Sequence, residues 1–182
     1  MGYSFRSRLV HDRKGNIGVI QMKDIIDSGK FNPDNLTRIN LQDIEDRHLV
    51  QIGDIVLRSR GQSNKCALID KKIGIAIVTA PLLIIRVSSN SVLPAYLAWY
   101  INQSTAQNYL TSHARGTSVP MISKQVVEQL PVTVPSIECQ QNIVNLSDMI
   151  EKEQDLLKQL SMKRQQYLSQ LLMQLLQGEN NE

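Results

Sequence analysis

Cysteine and long apolar runs are both scarce in this chain, and each scarcity removes a class of protein. Only Cys66 and Cys139 occur among 182 residues. They lie far apart, with no CxxC pattern and no histidine at ligand spacing, so neither a disulfide framework nor a zinc site is expected. No apolar run approaches the ~18 residues that span a bilayer, and the opening Met1-Gly2-Tyr3-Ser4-Phe5-Arg6 has no secretory core. The expected location is the cytoplasm. His11, His48 and His113 stand in dissimilar contexts, and the GxSxG, GxxxxGK[ST], HExxH and GxGxxG patterns are all missing. No motif for S-adenosylmethionine and no Asn-Pro-Pro-aromatic signature occurs either. Asp43, Glu45 and Asp46 with Asp54 downstream come nearest to a nuclease carboxylate set, but no lysine sits at a telling spacing. Neither catalysis, nor a cofactor, nor a metal is expected.

Hydrophobic residues at 42% and charged residues at 20% suffice for a packed core. The net charge of +3 is unevenly spread. Met1 to Ile137 carries 16 Lys and Arg against 10 Asp and Glu, whereas Glu138 to Glu182 carries 4 against 7. A basic body with an acidic tail suits a polyanion met by the body alone, although such a balance is also compatible with ordinary surface.

The pattern of residues predicts an α+β fold. Ile17 to Met22, Asp54 to Ser59, Cys66 to Ile69, Ile73 to Thr79 and Leu82 to Val87 are Ile- and Val-rich runs bounded by turn formers, and read as strands. Pro94 to Gln103 reads as a helix with proline in its first turn, and Ser104 to about His113 as a second. Ser123 is placed to cap a short helix through Leu130, which Pro131 ends. Val132 to Val134 is then extended between two prolines. The expected division is a globular domain over 1–135 and a long helix over 136–182 with a short disordered end.

From about Glu138 to Gln177 there is neither proline nor glycine, which predicts one helix of ~40 residues. Ile143, Leu146, Ile150, Leu157, Leu160, Leu171 and Leu175 follow a three-four spacing, the seam of a coiled coil, with Tyr167 and Leu168 beside it and Glu153 and Arg164 interrupting it. The seam needs a second helix. The body offers none of matching length, so an intermolecular partner is favoured, either a second copy or another protein.

Three segments have the residues of nucleic-acid-reading loops. Arg58, Arg60, Gln62, Ser63, Asn64 and Lys65 follow a short strand, and combine cations for phosphate or guanine with amides for adenine. Arg115, Thr117 and Ser118 flank Gly116 just before the capped start at Ser123 and Lys124, where an anion would fit. Arg6, Arg8, His11, Arg13 and Lys14 form a basic amino-terminal patch. Each segment alone also suits a solvated surface loop.

In order, Gly53-Asp54-Ile55-Val56, Gly61, Tyr96-Leu97, Gly116-Thr117-Ser118, Ile122-Ser123, Leu130-Pro131-Val132, Pro135, Glu138, Gln140-Gln141 and Ile143-Val144 before a leucine-rich helix resemble the type I restriction-modification specificity subunits. The resemblance covers nearly the whole chain, with Cys139 in a place where glutamine is usual and no Trp-containing lead at the amino terminus. It implies a target recognition domain and a spacer helix that direct adenine-methylating modification subunits, and a cleaving restriction subunit, to double-stranded DNA. The family commonly has two such domains and two spacers, so a half-size form acting as a homodimer is expected. The alternatives are a coiled-coil adaptor without sequence-specific DNA binding and an unrecognised nuclease.

Overall fold

Among the described residues, six short strands form where apolar residues run between turn formers: β1 (Ile17–Ile20), β2 (Thr37–Ile39), β3 (Ile55–Arg58), β4 (Cys66–Leu68), β5 (Ala76–Val78) and β6 (Leu82–Ile85). Four α-helices follow among them: α1 (Pro94–Ile101), α2 (Ser104–Ser112), α3 (Lys124–Glu128) and α4 (Ile137–Glu179). The computed structural model describes residues 2–5, 8–42, 44–116 and 118–179. The chain forms two compact units, Met1–Gln140 and Gln141–Glu182.

Two three-stranded sheets build the first unit, ordered β2-β1-β5 and β4-β3-β6. β1 runs antiparallel to β2 and parallel to β5, and β3 is antiparallel to both of its neighbours. The period of two along a strand shows how these layers stack. Ile55 and Leu57 of β3 belong to a cluster with Ala98, Ile101 and Leu110 of the helices. Val56, between them, belongs to a second cluster with Ile20 and Val78 of the other sheet. β3 is therefore covered on both faces, by helices on one and by a sheet on the other. Ile17, Val19, Ile39 and Ile77 turn to a third cluster, closed by Tyr3, Phe5 and Leu49. Coverage of both faces is why β1 and β3 read as unbroken apolar runs and not as alternating ones. Each such Ile or Leu contributes ~1.5–3 kcal/mol by leaving water.

The strand ends differ from the sequence expectation. Gln21 and Met22 leave β1 because Gln21 starts a 3-10 turn over Met22–Asp24, in which its N–H donates to the Asp24 carboxylate at 2.7 Å. Burial raises the Asp24 pKa, against the opposing pull of the Gln21 N–H and of Lys23. Ile73 to Ile75 lie outside β5, and β2 was not expected at all. Its three residues pair with β1, where Val19 faces Thr37.

Buried polar groups close the framework. Asp54, 1% exposed, takes two bonds from Arg86, Nε to Oδ1 and Nη2 to Oδ2, both 2.7 Å, and a third from the Gln51 N–H at 2.8 Å. The Asp54 hydrogen bond raises the Arg86 pKa. Asp54 is thus committed to Arg86 and Glu45 is paired to Arg47, while Asp43 lies outside the described residues. Among the described residues no three His, Cys, Asp or Glu side chains gather to hold a metal ion, and no helix is long and apolar enough to cross a membrane.

The edge of β4 is sealed by one side chain. Asn102, just past α1, accepts from the Cys66 N–H at 3.0 Å and donates to the Cys66 carbonyl at 2.9 Å, as a strand's peptide group would. Gly29 makes room for it, since a Cβ there would lie 2.4 Å from Asn102 Nδ2. Cys66 itself is fully buried, its Sγ bonded to the Ala98 carbonyl at 3.4 Å. Burial pushes its thiol pKa up to about 12, so it is both protonated and shielded at mildly alkaline pH. Cys139 is exposed. A thiol reagent is expected to titrate one sulfhydryl in the native chain and both in denaturant, and rapid reaction of both natively would show that α1 does not cover Cys66.

Candidate nucleic-acid interface

A three-segment ribbon holds the candidate loops together, and it is made of main chain. Arg115 and Met121 exchange both of their backbone bonds, at 2.9 and 2.8 Å. On the other side of the same strip, the Ile122 N–H donates to the Ser59 carbonyl at 2.7 Å and the Gly61 N–H to the Pro120 carbonyl at 3.0 Å. Met121 is thereby bridged to Arg60 on one side and to Arg115 on the other. Residues directly opposite across a ladder project from the same face. Arg60 and Arg115, both exposed, thus flank Met121, 48% exposed, on a single face. Gly116 turns the chain at φ +109°, where a Cβ would stand 3.0 Å from the Val119 carbonyl oxygen.

The loop between β3 and β4 sorts its candidates by what receives them. Arg58 is turned inward, its guanidinium donating to Asp27 Oδ1 at 2.7 Å and to the Ile25 carbonyl. Asn64, 5% exposed, donates to the Arg58 carbonyl at 3.1 Å, and its own carbonyl accepts from Gln107 at 3.0 Å. Lys65 reaches the Asn102 carbonyl at 3.0 Å, at the negative end of α1. These three brace the loop. Arg60 and Gln62 remain exposed, and Ser63 is half-buried.

Ser118 is exposed, while Thr117 lies outside the described residues. The anion seat expected before Lys124 falls at the start of α3, which has five residues and whose Ser123 hydroxyl accepts from the Val126 N–H. Lys124 pairs with Glu128 at 3.0 Å, a surface pair of small worth. In the amino-terminal patch Arg8, Arg13 and Lys14 are exposed. His11 Nδ1 accepts from the Arg38 N–H at 3.1 Å, so this loop is fastened to β2 and not to the ribbon. Arg6 lies outside the described residues. Sequence reasoning missed Met121, because a lone methionine carries no chemical signature until its neighbours are known.

In the second unit, α4 carries the seam in the open. Leu157 and Leu160 are 58% and 64% exposed, and Leu146, Ile150, Leu168, Leu171 and Leu175 are exposed as well. Ile143 is half-buried, and Arg164 and Glu153 interrupt the stripe.

A family model described as the type I restriction modification DNA specificity domain matches residues 2–163, and the chain belongs to that family. It shares its fold with the HsdS subunit from Thermoanaerobacter tengcongensis, at 20% identity and a TM-score of 0.65 over 82% of this chain and 39% of that one. A chain in a structure described as the structural basis of complex assembly and conformational transition of the type I R-M system matches similarly. There the identity is 18% and the TM-score 0.62, over 76% of this chain and 37% of that one. This chain thus spans less than two-fifths of the length of either solved relative. A comparison with curated proteins found no match.

Proposed function

We propose that this chain reads the sequence of double-stranded DNA through the Arg60–Met121–Arg115 ribbon, and delivers that choice to modification subunits that methylate adenine. Methyl transfer belongs to those partners, as cleavage does to a restriction subunit where one joins, and the chain itself performs neither. The cytoplasm is its place of action. The observation that carries the reading is two exposed guanidinium groups held by main-chain bonds on either side of an exposed methyl group. An arginine fork meets guanine O6 and N7, and a methionine methyl offers the apolar contact that suits thymine. Gln62 and Ser118, exposed on the same loops, add an amide and a hydroxyl for base edges or phosphate.

Arg60→Ala and Arg115→Ala are each expected to cost ~1–3 kcal/mol of binding to the preferred duplex, roughly 5- to 150-fold, and to relax preference at one position. Lys124→Ala is expected to weaken all sequences alike. Fluorescence anisotropy on duplex libraries measures both effects. Unchanged affinity and preference in both arginine variants overturns the assignment.

The second unit suits self-association. About a midpoint between Leu157 and Leu160, the seam is self-complementary in antiparallel register. Ile143, Leu146 and Ile150 meet Leu175, Leu171 and Leu168 of a second copy, and Glu153 meets Arg164. Such a two-fold dimer requires inverted half-sites separated by an unread spacer.

A further inference from the structure

Apart from the ribbon, the first unit holds a groove of about 620 Å³ whose walls come from four separate stretches of chain. His11 comes from the amino-terminal loop, Lys23 from the 3-10 turn after β1, Asp34 and Arg38 from the stretch that enters and forms β2, and Lys72 from the β4–β5 connection. All five are exposed. Three permanent cations therefore line one open groove against a single carboxylate, an arrangement that costs folding free energy by mutual repulsion. The Arg38 Nε bond to the Gly15 carbonyl at 3.0 Å fixes that side chain at the groove wall.

One wall of the groove is next in sequence to a residue that packs near the reading loops. Lys23 follows Met22, whose terminal methyl would lie 3.7 Å from a Cβ at Gly61, the residue bonded to Pro120 in the ribbon. Its chemistry also separates two kinds of anion. A small phosphorylated metabolite needs inward, desolvated donors, whereas these lysines sit in water. Solvated point charges set along an open groove suit a chain of phosphates, each of which exchanges condensed counterions for an ammonium group.

We infer that this groove takes the phosphodiester backbone of the bound duplex, as a second contact beyond the bases met by the ribbon. The inference rests on the DNA-reading role proposed above. It divides the labour on the domain: the ribbon carries preference, and the groove carries affinity without preference.

The test is the salt dependence of anisotropy-measured duplex binding by the full chain, with wild type, Lys23→Gln/Lys72→Gln, and Lys158→Gln/Lys163→Gln on α4 as a charge-matched control. Loss of two phosphate contacts is expected to flatten the slope of log K against log salt by about two, and to weaken every sequence alike by on the order of tenfold at physiological salt. The α4 pair is expected to leave the slope unchanged. Equal slopes in wild type and the groove variant, with the ribbon variants still altering preference, overturn the groove and leave the reading role standing. Equal flattening in the α4 control also overturns it, as a mere effect of net charge. A wild-type chain that binds no duplex even at low salt removes both.

Discussion

Replacing Leu157 and Leu160 together with lysine is expected to turn a self-associating chain into a monomer. In the antiparallel register proposed above, Leu157 of one copy would face Leu160 of the other, so the two substitutions would remove four leucines from the centre of the dimer and set four cations there. Each leucine, more than half exposed in the isolated chain, contributes at least ~1.5 kcal/mol when buried. Their loss alone moves the dissociation constant by roughly four orders of magnitude, before repulsion between the ammonium groups is added. Sedimentation velocity at tens of micromolar reads the outcome. The exchange Glu153→Arg with Arg164→Glu keeps both pairings and is expected to leave the dimer intact, which separates a specified register from general stickiness. A monomeric wild type at that concentration overturns self-association, and a target without inverted half-sites overturns the two-fold arrangement.

The second large effect is expected from Gln140→Leu. Gln140 is fully buried, and its amide makes three bonds: from Nε2 to the Ser91 and Pro135 carbonyls, both 2.8 Å, and from the Leu93 N–H to Oε1 at 2.9 Å. One side chain thus ties the first turn of α4 to the entrance of α1 and to the segment that precedes α4. Leucine has as good a helix propensity as glutamine, so the helix itself loses nothing. Two carbonyls and an N–H are stranded instead, at ~1–3 kcal/mol for each group left unpaired. A loss of ~3 kcal/mol is expected, or roughly 10 °C in the melting of the globular unit. A change below ~0.5 kcal/mol in chemical denaturation would show that water replaces the amide.

The importance of Gln140 was only half legible. Its place in the ordered set of motifs marked the position, but nothing in Glu138-Cys139-Gln140-Gln141 says which glutamine turns inward. Partners 47 and 49 residues away settle that. The same limit governs the loop after β3. Arg58 and Arg60 are two apart in one polar loop, and by sequence they are equivalent. The difference is made by Asp27 and the Ile25 carbonyl, which receive Arg58 from a turn about thirty residues earlier. Asn64 and Lys65 are likewise drawn in by Gln107 and Asn102, from the helices. By contrast β1, β3, β6 and all four helices were readable, because apolar runs, prolines and the Ser123 cap act over a few residues. β2 was not, since three residues placed by a neighbour's edge leave no periodicity of their own.

The ribbon also bears on how the protein can change. The bonds described between the rows of Arg60, Met121 and Arg115 are donated and accepted by peptide groups, so the rows do not depend on the side chains they display. Substitutions at 60, 62, 115, 118 and 121 alter the displayed chemistry without disturbing the frame, whereas Gly116 and the inward Arg58, Asn64 and Lys65 are fixed by the frame itself. If the ribbon reads DNA as proposed, new recognition can therefore arise in single steps, each tested by selection on an already folded loop.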